Sequence, residues 1–389
     1  MILGEIIESS GGAKVAGLLD APIMSITMKN GLVDQSEKFK KRIASADISG
    51  YKKVMRGELV VGFPIDEGVL GFQTKYDYAA VSPAYDVWKL KGTEFSTNFL
   101  EMLLRSDHAR AVYLSMMRGS VSRRRSIAKS DFLRVEIPLP PLAVQQELVA
   151  EIEGYQKIID GARQVVENYK PRIDVRPEWP VVELGEVCKI NPDSTYPPEV
   201  YANEIINYID IASVENETGH FIGATKIPSA KAPSRARRKV VSGDVLLSTV
   251  RPNLKAFTLL QDVPERTVAS TGFAVLRAMA KLVEPGYLVA AVRDQNSIDQ
   301  MVRMMGKGAY PSINTTDVKG ITIPLPDLET QRAIVAEIEA EQRLVAAAKE
   351  LVGRFEAKIK AVIGRVWGDG KVGEEGEKAP GPNSGGAEL

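Results

Sequence analysis

Apolar residues follow two spacings along this chain, and each spacing predicts a different kind of element. Short apolar runs broken by turn residues are typical of β-strands, whereas apolar residues three and four positions apart are typical of helices. Predicted strands include residues 23–27, 57–63, 208–211 and 244–250, and predicted helices span about 96–117 and 285–305. Each half of the chain is therefore expected to combine strands with helices.

Two longer stretches, beginning near Val144 and Thr330, keep the helical spacing for about seven turns, as a coiled-coil seam does. Glu341 interrupts the second seam at the position that Tyr155 holds in the first. Because burial of an unpaired carboxylate is costly, we expect the seam either to open to water there or to use Leu344 instead. The predicted seams consist of Val144, Leu148, Ile152, Tyr155, Ile159 and Val166, and of Ile334, Ile338, Val345, Val352 and Phe355.

Both long stretches begin with the same motif. Residues 137–153, IPLPPLAVQQELVAEIE, return as residues 323–339, IPLPDLETQRAIVAEIE, with 11 of 17 positions identical. The offset of 186 residues also maps Gly57 and Glu58 onto Gly243 and Asp244. A glycine followed by a carboxylate at a strand entrance is typical of a turn. The chain therefore consists of two similar halves, and the repeated Gly-acid pair is interpreted as structural.

The duplication sets the predicted domain organisation. Since each long helix follows its own globular half, a pair formed within one chain runs antiparallel. We predict an α+β (mixed) fold in which two similar globular α/β domains are separated by an intramolecular antiparallel coiled coil of two long helices, with pseudo-two-fold symmetry. The predicted segments are 1–136 (first domain), 137–178 (strand end, long helix and linker), 179–322 (second domain), 323–367 (second strand end and helix) and 368–389 (disordered tail).

Composition narrows the function classes. The chain has 50 basic and 50 acidic residues, so its net charge is zero and any surface for nucleic acid must be local. One cysteine, Cys188, and two histidines, His108 and His220, predict neither a disulfide framework nor a metal site. The amino terminus lacks the pattern of a signal peptide, and no apolar run has membrane-spanning length. We therefore expect a cytoplasmic protein.

Motifs that would indicate catalysis are missing from the sequence. It contains no Gly-x-x-x-x-Gly-Lys-Ser/Thr loop, no His-Glu-x-x-His, no Gly-x-Ser-x-Gly and no Gly-x-Gly-x-x-Gly after a strand. Asn191-Pro192 only partly matches the Asn-Pro-Pro-aromatic loop of amino-methyltransferases, because the second proline and the aromatic residue are absent. We therefore predict no catalytic residues, no bound cofactor and no metal on this chain.

Basic residues cluster at matching places in both halves, just before the shared Gly-acid pair and in the loop after the first helical stretch. Solvated surface charges would explain a single cluster, but recurrence in two diverged halves favours binding to DNA phosphates and base edges. The DNA-binding candidates are Lys40, Lys41, Arg42, Lys52, Lys53, Arg118, Arg123, Arg124 and Arg125 in the first half, and Arg235, Arg237, Arg238, Lys239, Arg251, Lys255, Lys307 and Tyr310 in the second.

The chain resembles the specificity subunits of type I restriction-modification systems. The resemblance covers residues 1 to about 367 and rests on the two copies of Ile-Pro-Leu-Pro-x-Leu-x-x-Gln with a Glu-rich helix after each, on the duplication of both globular halves, and on the linker at 155–170. It implies a non-catalytic subunit whose two target recognition domains each read one part of a bipartite site in double-stranded DNA. The helices would set the gap between those parts. It also implies two methyltransferase subunits as partners, which would bind S-adenosylmethionine, and restriction subunits that can join them.

Two other functions stay open from the residues alone. The first is a duplicated scaffold that holds proteins through its helices and ignores DNA, which zero net charge favours slightly. The second is an enzyme with an unrecognised site, such as a nuclease, although no carboxylate cluster recurs in both halves.

Overall fold

The computed structural model describes residues 1–11, 13–15, 21–38, 48–117, 127–306 and 311–368, so nearly all of the predicted tail lies outside the described residues. The chain divides into two compact units. Unit 1 contains residues 1–164 and 348–389, and unit 2 contains residues 165–347. Each unit therefore combines one globular domain with parts of both long helices.

Unit 1 packs short helices against antiparallel strands. Its helices are α1 (Leu3–Ile6), α2 (Gln35–Lys38), α3 (Thr97–Leu104), α4 (Asp107–Met116), α5 (Lys129–Phe132) and the long helix α6 (Leu142–Asn168), of which the last four residues belong to unit 2. Its strands are β1 (Ile7–Ser9), β2 (Met24–Thr27), β3 (Gly31–Asp34), β4 (Lys52–Met55), β5 (Leu59–Val61), β6 (Leu70–Phe72), β7 (Tyr78–Val81) and β8 (Asp86–Leu90).

Unit 2 repeats this plan. Its helices are α7 (Leu184–Val187), α8 (Pro197–Val200), α9 (Pro285–Arg293), α10 (Gln295–Met304), α11 (Thr315–Lys319) and the long helix α12 (Leu328–Trp367), of which residues 348–367 belong to unit 1. Its strands are β9 (Val181–Glu183), β10 (Cys188–Ile190), β11 (Ile205–Ile209), β12 (Thr225–Pro228), β13 (Ala236–Lys239), β14 (Asp244–Ser248), β15 (Phe257–Leu259), β16 (Thr267–Ser270), β17 (Phe273–Ala278) and β18 (Thr322–Pro324).

The sheets of the two units have the same topology. Four antiparallel strands are ordered β1-β8-β5-β6 in unit 1 and β10-β17-β14-β15 in unit 2. A second layer in unit 2 is ordered β12-β11-β16-β13, with β11 and β16 parallel. Unit 1 has the matching pairs β2–β3 and β4–β7, joined by a parallel bridge between Ile23 and Ala80. Together with the long helices, these layers confirm the predicted fold class.

The main core of each unit lies between the first sheet and the helices that follow it. In unit 1, β5, β6 and β8 bury Leu59, Leu70 and Trp88 against Leu100 of α3 and Phe132 of α5. In unit 2, the corresponding core includes Val245, Phe257, Leu276, Tyr287 and Val318. The second layer lies apart from this core, and its outer strands include β4 in unit 1 and β13 in unit 2.

Each predicted helix in the globular halves is in fact two helices. The break in unit 1 falls at Arg105 and Ser106, where the Ser106 hydroxyl accepts a hydrogen bond from the Ala109 amide at 3.2 Å. The break in unit 2 falls at Asp294, whose carboxylate caps α10. Apolar spacing continues across both breaks, so periodicity alone could not place the new helix start, which the capping residue determines.

The long helices pair antiparallel within unit 1, since early residues of α6 meet late residues of α12. Glu151 lies 4.0 Å from Arg365, and Arg163 forms an ion pair with Glu356 farther along α6. The rings of Tyr155 on α6 and Phe355 on α12 also pack, with centroids 5.4 Å apart. In unit 2 the residue that follows α6 contacts α12, because the Tyr169 hydroxyl donates to the Ile338 carbonyl at 3.5 Å.

The predicted seam residues are buried to different degrees. Ile152, Ile159 and Ile338 are at least nine-tenths buried, whereas Leu148, Tyr155, Val166, Ile334, Val345, Val352 and Phe355 are partly buried. Val144 is a correction, because its side chain is 39% exposed and Gln145 takes the buried position. The reason is that the first turn of α6 faces the globular domain rather than the partner helix.

The second seam is open to water at Glu341, which is exposed. Leu344 does not replace it, since 70% of its surface is exposed, so that alternative is wrong. Glu341 instead lies beside Tyr169, and burial together with this carboxylate raises the pKa of Tyr169 to about 12. A neutral phenol is therefore the neighbour of Glu341 at physiological pH.

A buried glutamine attaches each long helix to its own domain. The Gln145 side-chain oxygen accepts a hydrogen bond from the Ser96 amide at 2.9 Å, and its amide nitrogen donates to the Pro140 carbonyl at 2.8 Å. The equivalent Gln331 accepts from the Glu284 amide at 2.9 Å and donates to the Pro326 carbonyl at 2.8 Å. The two glutamines are 1% and 0% exposed. Each binds the backbone amide of the residue that directly precedes a domain helix, α3 in unit 1 and α9 in unit 2.

We expect Gln145→Leu to lower the free energy of unfolding by about 2–4 kcal/mol, because two backbone groups that face the buried side chain would lose their hydrogen-bond partner. Gln331→Leu should have an effect of the same size in unit 2. Urea unfolding at neutral pH measures both. The exposed neighbour Gln146 provides the matched control, and Gln146→Leu should change stability by less than about 0.5 kcal/mol.

Cys188 can report where the structure opens. It is 2% exposed, and burial raises the pKa of its thiol to about 12, so it should react slowly with thiol reagents in the native protein. Gln331→Leu should speed this reaction more than Gln145→Leu does, because Cys188 lies in the core of unit 2. Equal acceleration by both variants would contradict the local role of each glutamine.

Candidate nucleic-acid interface

The described basic candidates lie mainly on one edge strand of each unit. Strand β4 of unit 1 begins with Lys52 and Lys53, and β13 of unit 2 ends with Arg238 and Lys239. The offset of 186 residues maps Lys52 onto Arg238 and Lys53 onto Lys239, and each pair lies opposite the neighbouring strand, β7 in unit 1 and β16 in unit 2. A second segment forms a bridge to each strand, through Lys14 in unit 1 and through Ser194 in unit 2.

The turn after each basic strand is built alike. Gly57 and Gly243 have φ values of +86° and +90°, a backbone region that favours glycine. The Glu58 carboxylate accepts a hydrogen bond from the Met55 amide at 2.7 Å, and the Asp244 carboxylate accepts one from the Val241 amide at 2.9 Å. The structure thus confirms the interpretation of the Gly-acid pair as a turn, and this turn fixes where each basic strand ends.

Aromatic and carbonyl groups hold the lysines of β4. The Lys52 ammonium donates to the Tyr85 carbonyl, and the Lys53 ammonium lies 5.0 Å from the centre of the Tyr78 ring. Both lysines are partly exposed. Their stems are therefore oriented by the sheet while their charges remain able to meet a polyanion.

The arginines of β13 are more constrained than these lysines. Arg237 donates from Nε to the Ser234 carbonyl at 2.8 Å, and its guanidinium lies 4.2 Å from the centre of the Tyr196 ring. Arg238 has a buried Nε without a hydrogen-bond partner in the structure, and burial lowers the pKa of its guanidinium. Arg237 therefore presents a fork whose orientation is already fixed, as bidentate recognition requires.

A partly buried ion cluster fixes the segment that carries Tyr196. Arg277 pairs with the fully buried Asp244 at 2.8 Å and with Asp193 at 2.7 Å. The hydrogen bond from Arg277 holds the pKa of Asp193 below its usual value. In unit 1 the position of Arg277 is taken by Lys89, which pairs with Glu8 at 2.9 Å. The cluster therefore attaches the segment around Asp193 to strands β14 and β17 of the first layer of unit 2.

Arg251 and Lys255 flank a short 3-10 turn after β14, both with left-handed backbone φ values of 48° and 56°. Arg293 at the end of α9 fixes this loop by donating to the carbonyls of Lys255 at 2.9 Å and Phe257 at 3.0 Å. The Thr271 amide donates a hydrogen bond to the Arg235 carbonyl at 2.8 Å. The neighbouring Gly272 carbonyl accepts one from the amide of Thr249, two residues before the loop, also at 2.8 Å. The structure therefore brings Arg235 and the loop at 251–255 to the same end of unit 2.

Sequence reasoning missed a clamp that recurs in both units. Arg105 at the end of α3 donates to the Met28 carbonyl at 2.8 Å, as Arg293 donates to the Glu217 carbonyl. A glycine with positive φ packs against each guanidinium, Gly31 in unit 1 and Gly219 in unit 2, where a Cβ atom would collide with the arginine. The arginines and the glycines are both 188 residues apart, so a search at that offset could have found the clamp.

Nine DNA-binding candidates lie outside the described residues, namely Lys40, Lys41, Arg42, Arg118, Arg123, Arg124, Arg125, Lys307 and Tyr310.

Within the described ranges, no helix is long and apolar enough to cross a membrane. Nor do the described side chains include three histidine, cysteine or carboxylate groups placed to hold one metal ion.

Comparison with known proteins identifies the relatives of this chain. Residues 177–349 match the family model of the type I restriction modification DNA specificity domain. The chain is 24% identical over 160 residues to the type I restriction enzyme HindI specificity subunit of Haemophilus influenzae, covering 41% of this chain and 34% of that protein. It is 19% identical over 264 residues to the MjaVIII specificity subunit of Methanocaldococcus jannaschii, covering 61% and 62%. These alignments thus span about one to two thirds of the relatives' lengths.

Solved structures share the fold over most of the chain. One solved chain has a TM-score of 0.56 at 18% identity, with 94% of this chain and 96% of that chain covered. It belongs to a structure described as showing complex assembly and conformational transition of the type I R-M system. The HsdS subunit from Thermoanaerobacter tengcongensis has a TM-score of 0.50 at 20% identity, with 95% of each chain covered. The domain match, the relatives and these folds confirm the resemblance to type I specificity subunits.

We expect Asp193→Asn to destabilise unit 2 modestly at pH 7, because it removes one partner of Arg277. A carboxylate whose pKa is lowered in the folded state stabilises above its unfolded pKa, near 3.9, and that stabilisation disappears as pH falls through the folded value. Urea midpoints measured from pH 7 downward should therefore show a difference between variant and wild type that shrinks below about pH 4. A difference that is constant with pH would contradict this role of the charge.

Proposed function

We propose that this relative of the type I specificity subunits is a sequence-specific DNA-binding subunit in which each unit reads one part of a bipartite target. The observation that carries the proposal is the paired basic edge strand, with Lys52–Lys53 in unit 1 and Arg238–Lys239 in unit 2 at equivalent positions of the same fold. Two diverged domains that keep charge at the same edge are expected to bind the same kind of polyanion.

The chemistry of the basic residues supports two roles. Lys53 and Lys239 are point charges suited to phosphate oxygens, which supply affinity without reading sequence. Arg237, held by Ser234 and Tyr196, has a fork suited to guanine O6 and N7 in the major groove. Since the net charge of the chain is zero, these local groups must provide the attraction.

The spacer between the two parts of the target would be set by the paired helices. A paired length of about 26 residues corresponds to about 39 Å at 1.5 Å per residue. At 3.4 Å per base pair, half-site centres would be about 11–12 base pairs apart, which leaves a gap of roughly 7–9 if each unit reads three or four. The lengths of α6 and α12, 27 and 40 residues, are sufficient for this role.

The long helices also offer docking surface for methyltransferase subunits. Ile158 and Leu351 in unit 1 are 41% and 42% exposed, and Val165 and Leu344 in unit 2 are 49% and 70% exposed. Contiguous exposed apolar patches often mark protein interfaces, and these side chains would contribute to such a patch on each part of the helix pair. Two methyltransferase subunits would bind there and supply S-adenosylmethionine, restriction subunits would join them, and this chain would contribute recognition without catalysis.

A test of the proposal compares equivalent lysines in the complex reconstituted with its methyltransferase subunits. Lys53→Gln and Lys239→Gln should each weaken DNA binding and reduce the slope of log K against log salt by about 0.9, because each lysine neutralises one phosphate. Titrations at several salt concentrations measure both quantities. Lys281→Gln, at an exposed position in unit 2, is the matched control and should leave the slope unchanged.

The same titrations decide between recognition and a protein scaffold. Sequence-dependent binding with a steep salt slope supports recognition by DNA contacts. If the complete complex shows no salt-dependent DNA binding, the chain holds proteins together through its helices and the proposal is wrong.

We expect the gap in the target to follow helix length. Removing seven residues from α6 and seven from α12 shortens the pair by about 10.5 Å, which corresponds to about three base pairs. Mapping of methylated sites in cells should then show a shorter gap with both half-sites unchanged. Altered half-sites would refute the role of the helices as a ruler.

A further inference from the structure

The loop after β5 in unit 1 exposes an aromatic residue that no charge-based search selects. Phe63 is 59% exposed, whereas Phe72, Phe99 and Phe132 in the same unit are each at least 95% buried. A single exposed apolar residue is common on protein surfaces. Whether the exposure of Phe63 indicates a function therefore depends on its position and its surroundings.

The Phe63 ring is held by its neighbours rather than left free. It meets the Tyr85 ring edge to face, with centroids 6.2 Å apart and planes at 74°. Tyr85 is itself fixed because it packs against Gly62, where a Cβ atom would lie 3.1 Å from the tyrosine ring and 3.2 Å from Ile26. Such contacts orient an aromatic side chain without burying it.

Phe63 also lies beside the basic edge strand. The carbonyl of Tyr85, the residue that supports Phe63, accepts the hydrogen bond from the Lys52 ammonium. One residue thus orients both a cation of β4 and an exposed aromatic ring. Both groups contact Tyr85, which brings positive charge and an apolar surface to the same part of unit 1.

The duplication places Phe63 at a position related to the basic loop of unit 2. The offset of 186 maps Phe63 onto Thr249, two residues before Arg251, and both loops continue into a 3-10 turn, Ile65–Glu67 or Pro252–Leu254. In unit 2 the Thr249 hydroxyl donates a hydrogen bond to the Gly272 carbonyl at 2.9 Å. The equivalent loops therefore present an arginine in unit 2 and a phenyl ring in unit 1.

We propose that Phe63 contacts a base in the half-site read by unit 1, by apolar contact with the 5-methyl group of a thymine in the major groove. A phenyl ring cannot pair with phosphate, but it can distinguish thymine by its methyl group. The inference rests on the proposed function, since it assigns a reading residue to the same DNA surface. Lys52 beside it would contact the backbone and fix the register.

The test is a cycle in which the side chain and the methyl group are removed separately and together. The full complex with its methyltransferase subunits is titrated with its mapped target, in which each thymine is replaced in turn by deoxyuridine. For wild type, one replacement in one half-site should weaken binding about fivefold to tenfold. Phe63→Ala should weaken binding to the unmodified target similarly, and the same replacement should then have no further effect.

Leu114→Ala provides the control, because Leu114 of α4 is a similarly exposed apolar residue, 48%, and should behave as wild type throughout. Thermal unfolding of Phe63→Ala should match wild type, and its salt slope should be unchanged because no charge is lost. Specific binding by wild type with no thymine coupled to Phe63 overturns this inference alone. Binding by wild type without sequence preference overturns the proposed function as well.

Discussion

The buried glutamine at the start of each long helix is the contact on which the architecture depends. Gln145 and Gln331 each join three parts of the chain, namely the proline-rich strand end, the long helix and the first residue before a domain helix. Without this partner, a backbone amide and a backbone carbonyl that face the buried side chain would each lose a hydrogen bond, which is costly. Because the side chain satisfies both groups at once, the helix leaves its domain in one defined direction.

The two units show how a duplicated fold keeps its frame while its surface diverges. The glutamine, the Gly-acid turn and the arginine–glycine clamp recur with the same geometry. The surface around them differs, since Arg277 joins two carboxylates where Lys89 joins one, and Thr249 stands where Phe63 does. Shared hydrogen bonding in the frame with different side chains at the edge fits the proposed recognition of two different sequences.

Much of the fold could be predicted from the sequence because its strongest signals are repeated. The 17-residue motif located both long helices, and seven-turn apolar spacing predicted that they pair. Local geometry was harder to predict. Val144 fits the spacing, but the first turn of α6 faces the domain, so Gln145 is buried instead. A polar residue in a buried position satisfies backbone groups that no periodicity reveals.

The candidate site could be predicted only in part, since its residues come from distant segments. Lys53 and Lys239 share the offset of the main motif, which made the basic clusters visible, although not the strands that carry them. The clamp at Arg105 and Gly31 needs contact between residues 74 positions apart, and its offset of 188 differs from that of the motif. Phe63 carries no charge, so a search for phosphate-binding groups passed over it. Each omission reflects a contact that exists only after folding.

In the proposed function, each unit alone determines one part of the target. The most direct measurement is methylation mapping for a chain in which residues 184–322 are replaced by the equivalent residues 3–136, so that both units carry the first domain. We expect a target with the first half-site present twice, in inverted orientation, across an unchanged gap. A folded, active chain that retains the original asymmetric target would contradict it.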